Sequence, residues 1–70
     1  MTPVRFQEYA RYDITQDRNV TLFMATTPKG CYSAEVVVDG YKAIRENRER
    51  FKERAIDLIT SGADPCKVEL

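Results

Sequence analysis

Apolar side chains recur at every second position up to Val38 and at every third or fourth position beyond Tyr41. That one change of period divides the chain into a strand region followed by a helix. Residues 4–14 (VRFQEYARYDI) place Val4, Phe6, Ala10, Tyr12 and Ile14 on one side and Arg5, Gln7, Tyr9, Arg11 and Asp13 on the other, with Glu8 interrupting the apolar side. Such alternation marks a strand with one buried face, and Glu8 marks an edge or a bend. The polar cluster 15–19 (TQDRN) is suited to closing a hairpin.

Residues 20–26 (VTLFMAT) form a second alternating run, with Val20, Leu22 and Met24 on one face and Thr21, Phe23 and Ala25 on the other. Thr27-Pro28-Lys29-Gly30 then reads as a tight turn, proline fixing φ at its second position. In residues 31–38 (CYSAEVVV), Tyr32, Ala34, Val36 and Val38 fall opposite Cys31, Ser33, Glu35 and Val37. Asp39 is the expected N-cap of the helix that follows. From Tyr41 the apolar stripe continues through Ile44, Phe51, Ala55, Leu58 and Ile59, with Arg48 filling its one missing place. Gly62 and Pro65 end the helix near residue 61.

The expected fold is therefore a single α+β domain spanning residues 1–70: a three-stranded antiparallel meander, then one long amphipathic helix packed on one sheet face. The tail 65–70 (PCKVEL) is available as a short edge strand. A chain of 70 residues has a thin core and gains from a disulfide, a metal or a partner subunit. Two cysteines and no histidine cannot make a structural zinc site, and one pair, Cys31 and Cys66, is sparse for a disulfide scaffold. Reduced thiols and a homodimer are the expectation.

Other functions are narrowed in the same way. Arg5 and Glu8 interrupt the first ten residues where a signal peptide needs an apolar stretch, and no apolar run reaches membrane-spanning length, so a cytoplasmic protein is expected. Basic residues number four against five acidic in 1–40 and seven against six in 41–70, a weak electrostatic footprint for a nucleic-acid binder. Without histidine the Ser-His and Cys-His nucleophile arrangements cannot be built from this chain, and the three glycines fall singly rather than in a phosphate loop. No enzyme activity, cofactor or metal is expected.

Two surfaces remain. Arg45, Arg48 and Lys52 share a stripe of the helix and could meet phosphate, although Glu46, Glu49, Glu53 and Asp57 offset much of their charge. The sheet face away from the helix is expected to carry Arg5, Tyr9, Arg11, Phe23 and Val37, a mixture of aromatic and cationic groups. It suits a second copy or another protein, as in an adaptor or inhibitor, with a nucleic-acid-binding regulator as the alternative. On this reading Phe51 anchors the core, whereas Phe23→Ala is mild in the monomer and harms assembly or binding.

Overall fold

The computed structural model describes residues 3–38 and 40–70. Three antiparallel strands, β1 (Arg5–Asp13), β2 (Arg18–Thr27) and β3 (Gly30–Val37), form one sheet in the order β1-β2-β3, followed by the helix α1 (Tyr41–Ser61). This is the α+β arrangement expected from the change of period.

Each connection follows from its residues. Ile14, expected in the first strand, instead opens the β1–β2 loop and stands in solvent: pairing ends at Asp13↔Arg18, and Asp17 in the left-handed region (φ 53°) leads the loop into β2. The Asp13 carboxylate accepts from the Thr15 amide at 3.0 Å and the Thr15 hydroxyl at 2.6 Å, which fixes the entry to the turn. The Thr15 hydroxyl is the main reason that the Asp13 carboxyl titrates below its ordinary value. Desolvation opposes that effect, while the Thr15 and Gln16 amides and the Arg11 charge add to it.

A lowered folded-state pKa stabilises the turn above the unfolded value and loses that contribution as pH falls through the folded one. In an acid titration the Thr15 amide resonance should therefore move with a midpoint below 3.8. A midpoint at or above 3.8 would contradict the turn geometry.

The β2–β3 connection is a two-residue loop, Pro28-Lys29, closed by the pair Thr27↔Gly30. Thr27 Oγ1 accepts from the Lys29 amide and donates to the Gly30 carbonyl, both at 3.2 Å. Gly30 has φ 146°, and a Cβ there would lie 2.8 Å from Cγ of Pro65, so this turn also needs glycine for space.

Asp39 lies outside the described residues, and Gly40 (φ 87°) takes the N-cap position with no side-chain cap. At the other end Gly62 adopts the left-handed conformation (φ 78°). Its amide donates to the Ile59 carbonyl and that of Ala63 to Leu58, the paired bonds of a Schellman cap. The Tyr32 hydroxyl donates to the Ala63 carbonyl, so this end of the helix is tied to β3.

The helix lies over β2 and β3. Its stripe buries Phe51 and Ala55 against Phe23, Ala25, Tyr32 and Ala34, with Ile44, Leu58 and Ile59 packed at the margin. Tyr41, at the head of the stripe, stands in solvent. The tail returns beside β3 and pairs in parallel, Ser33↔Lys67, through Ser33 N–H to the Cys66 carbonyl (3.2 Å) and Val68 N–H to the Ser33 carbonyl (2.7 Å). It makes an isolated bridge rather than a regular strand, and it brings Val68 into the core.

Candidate binding face

Residues directly opposite in antiparallel strands share a sheet face. Ala25 opposes Tyr32, and Phe23 opposes both Ala34 and Glu8, so Phe23 points to the helix. It is 1% exposed and stacks on Phe51 with ring centroids 5.7 Å apart. The expectation that Phe23 belongs to the open face is thus corrected. β2 is rotated by one residue relative to that reading, and Thr21 and Ala25 move under the helix with Phe23.

The open face is consequently built from Arg5, Gln7, Tyr9 and Arg11 of β1, Val20, Leu22, Met24 and Thr26 of β2, and Cys31, Ser33, Glu35 and Val37 of β3. Its centre is aliphatic. Val20, opposite Arg11 and Val37, is buried, while Leu22 and Met24 are half-buried. Tyr9 (52% exposed) and Val37 (50% exposed) flank that centre on opposite sides. Arg11 reaches across to Glu35 at 3.3 Å and also approaches Asp13 at 3.8 Å, so its charge is partly answered on the face itself. The Arg11–Glu35 pair is exposed on both sides, and such surface pairs contribute little to stability.

Four of the expected face residues, Arg5, Tyr9, Arg11 and Val37, are brought together here. Val20, Leu22 and Met24, which alternation sets opposite Phe23, join them. The signal that finds them is the turn: residues equidistant from Pro28-Lys29 must oppose each other, which sets Met24 against Ser33 and Leu22 against Glu35.

Two of the three basic residues of the helix stripe are engaged within the chain. Arg48 donates to both carboxylate oxygens of Glu8, by Nε to Oε1 and by Nη2 to Oε2 at 3.0 Å. The hydrogen bonds to Glu8, and then its charge, hold the Arg48 proton more firmly than usual. Lys52 places its Nζ 5.7 Å from the Phe6 ring centroid. Arg48 and Lys52 therefore line the cleft between α1 and the helix side of β1, while Arg45 stays exposed one turn earlier. The interruption of the strand at Glu8 and that of the helix at Arg48 answer each other.

No family model matches the chain, and no curated protein or solved structure matches it.

Proposed function

We propose that this is a non-catalytic binding protein of the cytoplasm, adaptor-like or inhibitor-like, that works by protein–protein contact through its open sheet face and also self-associates. The observation that carries the reading is the makeup of that face: Leu22 and Met24 at the centre, Tyr9 and Val37 beside them, and Arg5, Arg11 and Glu35 around them. An apolar centre with aromatic, Met and Arg content inside a polar rim is the composition of protein interfaces. Free thiols at Cys31 and Cys66 suit a reducing compartment.

The nucleic-acid alternative draws on Tyr9 between Arg5 and Arg11. With Phe23 under the helix, the face offers one aromatic ring for stacking, and Arg11 is already engaged by Glu35. A labelled single strand titrated at low salt should show no micromolar binding, and micromolar binding that weakens steeply with salt would replace the protein reading.

Met24→Lys tests the face itself. Lysine can lay its stem along the surface and keep its charge in water, so the circular dichroism spectrum and melting temperature should change little. A protein captured by the unaltered chain should be lost by Met24→Lys, and equal capture by both would move the binding site elsewhere.

A further inference from the structure

Among the described residues, none pairs with the outer edge of β1. The helix covers β2 and β3, and β1 stays exposed along most of its length, with even the helix-side Tyr12 at 54%. Natural edges are protected by proline, charged side chains and inward-pointing charges, a bulge or a covering segment. β1 (RFQEYARYD) contains neither proline nor lysine, its inward-pointing Glu8 is already paired with Arg48, and its register with β2 runs unbroken from Arg5↔Thr26 to Asp13↔Arg18.

The hydrogen-bond directions identify what this edge displays. Val38 N–H donates to the Asn19 carbonyl, which aims the odd-numbered residues of β2 at β3. The even-numbered ones then bond to Arg5, Gln7, Tyr9, Arg11 and Asp13 of β1. Phe6, Glu8, Ala10 and Tyr12 are left with their amides and carbonyls pointing outward. The same alternation turns Ser33 of β3 outward, where it meets the tail.

We propose that this edge pairs antiparallel with the same edge of a second copy, about a two-fold axis normal to the sheet at Tyr9. The proposal rests on the protein-binding reading and identifies one partner as the chain itself. Because opposed residues share a face, such an axis must set one residue against its own copy. Centring on Tyr9, the midpoint of Arg5–Asp13, overlaps the whole strand. Arg5 then faces Asp13 of the second copy, Gln7 faces Arg11, Phe6 faces Tyr12 and Glu8 faces Ala10, and every outward-pointing residue finds a hydrogen-bonding partner.

Neighbouring registers are worse. Centring on Glu8 sets Glu8 against Glu8 and Arg5 against Arg11, centring on Arg11 opposes two arginines, and centring on Gln7 or Ala10 leaves one end of the strand unpaired. Like charges directly opposite are destabilising, whereas aromatic pairs and opposite charges stabilise a sheet. The resulting sheet has six strands, and the two open faces become one surface with both Tyr9 rings at its middle.

The test uses the full chain with both native cysteines changed to serine. Light scattering should give twice the chain mass, falling to the single mass on dilution. Tyr9→Cys should cross-link to its own copy under mild oxidation, because a non-hydrogen-bonded pair holds its Cα atoms about 4.5 Å apart, within disulfide range. Gln7→Cys should not, since its copy lies four residues away along the strand, about 13 Å. A mixture of Gln7→Cys with Arg11→Cys should cross-link.

Ala10→Pro removes an outward amide and should give a folded monomer. A chain that is monomeric at every concentration, or an Ala10→Pro variant that remains a dimer, overturns the proposal. So does self-cross-linking of Gln7→Cys without Tyr9→Cys. Ala10 lies on the helix side, so the Ala10→Pro monomer keeps the open face. A partner lost by Met24→Lys but kept by Ala10→Pro separates failure of the edge from failure of the face.

Discussion

Phe51→Ala is expected to remove about half of the protein's stability, and Phe23→Ala to do nearly the same. Each ring is 1% exposed and stacks on the other at 5.7 Å. Truncating a buried phenylalanine costs about 3–5 kcal/mol, while a chain of this size has a total stability of about 4–10 kcal/mol. Helix and sheet are joined through this pair, so either truncation opens the main contact between layers. Thermal and urea melts followed by circular dichroism would measure both. The double variant should lose less than the two single losses combined, because the stacking contribution, about 0.5–1.5 kcal/mol, can be removed only once. A stable Phe23→Ala variant with reduced self-association would instead return Phe23 to the open face.

Removal of residues 66–70 is the second large effect expected. Val68 is 7% exposed and packed in the core, and Ser33 exchanges two backbone hydrogen bonds with Cys66 and Val68. Losing the side chain and both bonds should cost about 3 kcal/mol, a large share of what so small a domain holds. Val68→Ala keeps the backbone bonds and isolates the packing share. If truncation leaves the urea midpoint unchanged, the tail is not part of the folded unit.

These variants bear on what could be read from residues alone. The strand and helix runs were legible because period two and period 3.6 are hard to confuse over eight or more residues, and Gly62 and Pro65 punctuate the helix end. The face of β2 was not legible by alternation. β2 carries apolar residues on both of its faces, so Val20, Leu22 and Met24 look as buried as Phe23 and Ala25. Register decides between them, and register is set by the two-residue turn, which places Phe23 opposite Ala34 and hence with Tyr32. Glu8 and Arg48 each read as flaws in an apolar pattern, yet their pairing depends on where the helix crosses the sheet. The tail bridge depends on a return past Pro65 that no local periodicity encodes.

The returning tail also limits how the sheet can grow. Its bridge at Ser33 occupies the middle of the β3 edge, leaving β1 as the edge with no paired segment among the described residues. A building block with two sticky sides polymerises without end, whereas one with a single sticky side stops at a pair. On the proposed pairing of β1 edges, blocking that margin would limit growth to a pair, and a chain lacking the tail would have a second edge open to pairing.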